Sequence, residues 1–146
     1  MFFFLMPVML ESSERTLSDL ILFEKNEVNA VLVVRDKGNL SSGSYWYITS
    51  SAELINKHFK DATKYELPQI TESQFRTSPE NFTGKIKIHI GWDGLNPHPD
   101  LAKTMIELNA EAKNDGNYGY ALASYDDNIV IQSPTLVGVR SGAAAF

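Results

Sequence analysis

The sequence contains no cysteine. Disulfide staples, thiolate zinc sites and cysteine nucleophiles are excluded together, so an apolar core must hold the fold. Basic runs are lacking too: 13 Lys and Arg residues are scattered singly among 18 Asp and Glu, for a formal net charge of -5 and a pI near 5.1. Such a surface on average repels a phosphate backbone, and nucleic acid is not an expected partner. No apolar run reaches the roughly 20 residues of a bilayer span. The opening MFFFLMPVML has nothing basic before it and Glu11-Ser12-Ser13-Glu14 after it, which is not the pattern of a secretory signal; no membrane association is expected. Sequence motifs of catalysis are missing as well: there is no G-x-S-x-G, no P-loop and no G-x-G-x-x-G. No catalytic, cofactor-binding or metal-binding residue is assigned, and no cofactor is expected.

What is present suits one packed domain spanning residues 1–146. The chain is 43% apolar and 21% charged, the balance of a globular protein long enough to bury most of its apolar surface. Leu17 to Phe23 reads as a buried strand, and Val28 to Arg35, rich in β-branched residues, as its antiparallel hairpin partner. Tyr45-Trp46-Tyr47-Ile48-Thr49 reads as a further strand by alternation. Ser50 and Glu53 have the spacing of a capping box, which predicts a helix from there to about Lys60–Ala62 with Leu54, Ile55, His58 and Phe59 as its apolar stripe. Residues 63–84 lose periodicity, and an excursion carrying a short strand or a turn of helix is expected.

The most regular stretch follows. Ile86, Ile88, Ile90 and Trp92 alternate with Lys85, Lys87, His89 and Gly91, predicting a strand with one buried face and one polar face that carries His89. Asp93-Gly94 ends it. Pro97 and Pro99, with Asp100, suit the first turn of a helix whose face is Leu101, Met105, Leu108 and Ala112, and Gly116 ends that helix. The tripeptide His98-Pro99-Asp100 is also that of J-domains, where it follows a long basic helix; here a β-like strand precedes it, and it reads as a helix start. His89, Asp93, His98 and Asp100 lack the common-face geometry of a zinc site. Tyr118 to Ser124 then reads as a strand, Asp126-Asp127-Asn128 as a tight turn and Ile129 to Gln132 as the returning strand. The expected fold is mixed α/β (α+β): one mixed sheet with two main helices, flanking hairpins, an extended apolar arm over residues 1–16 and a tail over 134–146.

The order LSDLILF, YWYITSSAELINKHFKDATKYE, KIKIHIGW and NYGYALASYDD resembles a core region of contractile phage tail sheath proteins, in which a strand leads to a serine-capped helix ending in Phe and a further strand and helix precede an aromatic-rich strand. The chain is much shorter than a sheath subunit. What the resemblance implies is therefore broader: a non-enzymatic structural subunit of a virion or phage tail, homo-oligomeric, with copies of itself and other particle proteins as partners. Such a subunit would pack its termini on its neighbours through Phe2, Phe3, Phe4, Leu5, Met6 and Val8 at one end and Leu136, Val137 and Phe146 at the other. The alternative is a monomeric, cytoplasmic module that binds a small molecule or peptide through residues 63–84 and the aromatics Tyr45 and Tyr47.

Overall fold

Residues 20–91 and 118–146 are described by a computed structural model. The arm 1–16, residues 17–19 of the first expected strand, Trp92, Asp93, His98, Asp100 and the helix expected over 100–113 lie outside the described residues. The fold is mixed α/β: a five-stranded sheet with helices packed on it, beside a second sheet of two short strands.

The small sheet pairs β1 (Phe23–Glu24) with β2 (Glu27–Val28) across Lys25 and Asn26, which both adopt left-handed backbone with φ of 52° and 64°. Two positive φ angles in a two-residue loop match the right-handed twist of the flanking strands. The expected hairpin is thus two residues deep on each side. Ala30–Val34, β3, does not pair back on the first run. It enters the main sheet between β4 (Gln69–Thr71) and β5 (Ile86–Ile90), parallel to both. All five residues of AVLVV are at most 1% exposed. A continuous apolar run is what a strand covered on both faces requires, whereas a hairpin open to water on one side would alternate.

The strand order is β4-β3-β5-β7-β6, with β6 (Ala121–Tyr125) antiparallel to β7 (Asn128–Gln132) and the other pairings parallel. The β6–β7 hairpin turns at Asp126-Asp127, where the sequence predicts it.

Helix α1 (Ser42–Thr63) corrects two readings at once. Tyr45–Thr49 is not a strand, and the helix does not start at Ser50. Its N-cap is Ser41, whose hydroxyl accepts the Ser44 N–H at 3.1 Å. Tyr45, Ile48, Ala52, Ile55 and Phe59 recur at spacings of three and four, one helical stripe running straight through the aromatic segment. From Ile48 to Phe59 these residues are buried. Ser50 and Ser51, also buried, donate back to the Tyr47 carbonyl at 3.3 and 2.6 Å, which satisfies hydroxyls that a helix interior would otherwise strand. Lys64, left-handed at φ 71°, closes the helix by donating its N–H to the Lys60 carbonyl.

The excursion carries what was expected of it and more: β4, then α2 (Glu72–Thr77) opened by a complete Thr71–Gln74 capping box, then a 3-10 turn over Pro79–Phe82. Residues 134–146 are not a tail. Leu136–Ala145 is α3, capped by Thr135, and it lies on α1 and β7. Gly138 and Gly142 make that approach possible. A Cβ on Gly142 would stand 2.6 Å from the Ile131 Cγ2 and 3.1 Å from the Tyr120 ring, and one on Gly138 would collide with Ser133 and the Gly119 carbonyl.

One face of the sheet, formed by Ala30, Leu32, Val34, Ile86, Ile88, Ile90, Leu122, Ile129 and Ile131, packs under α1 and α3 as the main core. On the opposite face Phe75 of α2 meets His89 edge-on at 5.5 Å between ring centroids. His89 is 3% exposed, so the polar face expected for β5 is a covered one. A strand in the middle of a parallel array is buried on both sides, and its alternation records side-chain size and chemistry more than exposure.

Candidate functional site

Because β4, β3, β5 and β7 run parallel, their carboxyl ends lie along one edge of the sheet. The chain leaves β3 for β4 on one side, while β5 and β7 lie on the other, so the order reverses at the β3–β5 junction. In open α/β sheets ligands are taken outside the carboxyl ends of strands near such a reversal. A cleft of about 480 Å³ opens at that edge above the end of β3.

Its first wall is the loop Arg35–Leu40, which runs from the last residue of β3 to the cap of α1, with Gly38 left-handed at φ 50°. Its second wall is α2, through Glu72, Ser73 and Arg76. Asp36 ties the walls together: its Oδ2 accepts both the backbone N–H and the hydroxyl of Ser73, each at 2.9 Å. Arg35 holds the floor, its N–H donating to the Ile90 carbonyl of β5 at 3.2 Å. Glu72 pairs with Arg76 one helical turn on.

The charges of these walls are not oriented alike. The Glu72 side chain is 6% exposed and that of Arg76 is 54% exposed. Asp36 is half-buried with Ser73 on it, whereas Lys37 is exposed. The lining carries three basic and two acidic groups, and of these the Glu72 carboxylate is the buried one. A second, shallower recess of about 460 Å³ lies on the other flank of α2, between Ile70, Gln74, Thr77 and the 3-10 turn.

Tyr45 and Tyr47, the aromatics of the binding-module reading, do not reach the cleft. Tyr45 is half-buried against the core. Trp46 between them is 52% exposed, edge-on to Tyr47 at 5.2 Å and stacked by the Arg140 guanidinium of α3 at 5.2 Å. Part of the excursion does line the cleft, through Glu72, Ser73 and Arg76. Of the residues expected to pack on neighbours, Leu136 and Phe146 are half-buried against the protein's own core and Val137 is half-buried on α3; Phe2, Phe3, Phe4, Leu5, Met6 and Val8 lie outside the described residues.

His89 donates its Nε2–H to Asn128 Oδ1 at 2.9 Å. Burial pushes its pKa down to about 4, with Lys87 acting in the same direction and the Asn128 contact opposing. Burial, with Asp126 beside it, pushes the Tyr125 phenol up. His58 is exposed on α1, a rim residue as expected. Among the described residues no group of three His, Asp or Glu side chains is placed to hold a metal ion, and no helix is long and apolar enough to cross a membrane.

Sequence pattern alone does not mark Arg35, Lys37 and Arg76 as cleft residues. The signal was the run Arg35-Asp36-Lys37-Gly38 directly after AVLVV. After an antiparallel strand that is an ordinary turn; after a parallel one it lies on the ligand-binding edge.

Fold and cleft together define an open mixed α/β domain with four parallel strands and a polar cleft at their carboxyl edge. No family model matches the chain, and neither does any curated protein or solved structure.

Proposed function

We propose that the protein is a binding domain that takes a small molecule in the cleft between Arg35–Leu40 and α2. The observation that carries this reading is the cleft's position at the carboxyl edge of the parallel strands, between the loop after β3 and the helix after β4. Its volume falls within the range of small-molecule sites. The Asp36–Ser73 link holds its two walls together before any ligand arrives, which lowers the ordering cost of binding. Binding, without chemistry, is the role proposed. Asn39 lines the cleft and is exposed, so Asn39→Trp fills it without touching the core. A metabolite that raises the melting temperature of the wild type should leave that of Asn39→Trp unchanged. An equal rise in both proteins would place the binding elsewhere.

A second reading is favoured by one feature of the sequence, the apolar stretch with Phe2, Phe3 and Phe4 in succession. An apolar stretch of that kind has to be covered by protein, and a neighbouring copy of the chain can supply the cover. On this reading the chain is a homo-oligomeric structural subunit, a phage tail or virion component of the kind its segment order resembles. Light scattering on the intact chain and on one lacking residues 1–10 separates the two: loss of a defined oligomer on deletion supports assembly, and a monomer at micromolar concentration in both cases excludes it.

A further inference from the structure

We propose that the ligand of this cleft is an uncharged molecule bearing vicinal hydroxyls, as a sugar ring does, held by Asp36 and Asn39; the proposal rests on the binding reading above and names the class of molecule bound. The charges of the cleft are answered within its own walls. Glu72, its side chain 6% exposed, pairs with Arg76, Arg35 is engaged in interactions of its own, and Lys37 directly follows Asp36 in the chain. A ligand with a net charge would shed its water against groups whose counter-charges are already in place, and that desolvation would go uncompensated. An uncharged ligand meets no such cost.

What the walls have left is hydrogen-bonding capacity. An ionised carboxylate offers about four lone-pair sites, and Ser73 uses those of one oxygen. Asp36 Oδ2 accepts the Ser73 N–H and hydroxyl, whereas Oδ1 accepts no bond from the described residues. Such an oxygen takes two O–H donors, and neighbouring hydroxyls on one ring supply them as a pair. Asn39, exposed on the same loop, adds an amide that both donates and accepts. Hydroxyls do the same, so one molecule can satisfy both side chains. Leu40, next along the loop, is the apolar side chain of the lining and suits the C–H face of a ring.

The test uses the intact chain and probes in matched pairs, with backbone amide shifts followed in two-dimensional NMR spectra. Glucose is set against glucose 6-phosphate for charge, and adenosine against 2′,3′-dideoxyadenosine for the vicinal hydroxyls. Glucose, adenosine or both should move the amides of residues 36–40 and 72–76 saturably; the first identifies a free sugar as the ligand and the second a nucleoside. Glucose 6-phosphate should bind no more tightly than glucose, and the dideoxy compound at least about tenfold more weakly than adenosine. Asp36→Asn keeps an oxygen for Ser73 and should weaken the probe that binds at least about tenfold, as for loss of a charge-assisted hydrogen bond. Asn39→Ala, at an exposed position, should weaken it about threefold or more. Lys57→Ala, on the outer face of α1, should leave it unaffected. Glucose 6-phosphate binding more tightly than glucose, or dideoxyadenosine matching adenosine, would overturn the uncharged hydroxyl class and leave the binding reading standing. Unchanged affinity in both Asp36→Asn and Asn39→Ala would overturn the proposal as well. If no probe moves these amides, the proposal is overturned, and the Asn39→Trp comparison with charged metabolites then judges the binding reading by itself.

Discussion

At the scale of single residues the protein repeatedly places polar groups where their partners are already fixed. His89 is the sharpest case: a titratable ring between Phe75 and Asn128 in a covered sheet face. Its pKa is pushed down to about 4 from an ordinary 6.5, so the unfolded chain binds the proton more readily than the folded one. Stability from this group is therefore complete above about pH 6.5 and is lost as pH falls toward 4. A shift of that size corresponds to at most about 3 kcal/mol. Urea unfolding at pH 7 and pH 4.5 should show wild type losing stability more steeply than His89→Leu; parallel losses would mean that His89 titrates normally and is not buried as described. Nothing in the sequence distinguished this histidine from one on a wet face. Alternation places His89 opposite Ile88 and Ile90 correctly, but it does not say whether another layer covers that side.

At the scale of elements, legibility followed the length of the pattern. The β5 run and the β6–β7 hairpin were evident because each is regular from end to end and bounded by turn residues. Tyr45–Thr49 was misread because five residues satisfy a period of two as well as one of 3.6; only the continuation to Ala52, Ile55 and Phe59 decides between them. The same misreading shifted the helix start, since Ser50 and Glu53 have capping-box spacing by coincidence while Ser41 is the true cap. Ser41→Ala should cost about 1 kcal/mol and speed amide exchange in the first turn of α1. Glu53→Ala, at an exposed mid-helix position, should change stability by less than about 0.5 kcal/mol. The reverse ranking, by thermal unfolding, would restore the later start. The C-terminal helix is hidden in the sequence for another reason. Its glycines and alanines look like a flexible end, yet Gly138 and Gly142 are the positions where the backbone must come closest to the sheet and to Gly119.

At the scale of the whole molecule, the mixed α/β class was legible and the topology was not. Reading β3 as half of a hairpin hid the parallel array, and with it the shared carboxyl edge and the importance of Arg35-Asp36-Lys37-Gly38. Parallel pairing joins segments far apart in the chain, such as Val33 with His89, and no local pattern announces it. Once β3 stands between β4 and β5, the charged loop after it and the helix after β4 become the two walls of one cleft, tied by Asp36 and Ser73. That juxtaposition is the central claim for function. Its most direct test is a crystal of the intact protein soaked with a library of small polar fragments. The account predicts that bound fragments gather between Arg35–Leu40 and Glu72–Arg76. Fragments gathering instead around Trp46 and Arg140, with the cleft holding solvent alone, would contradict it.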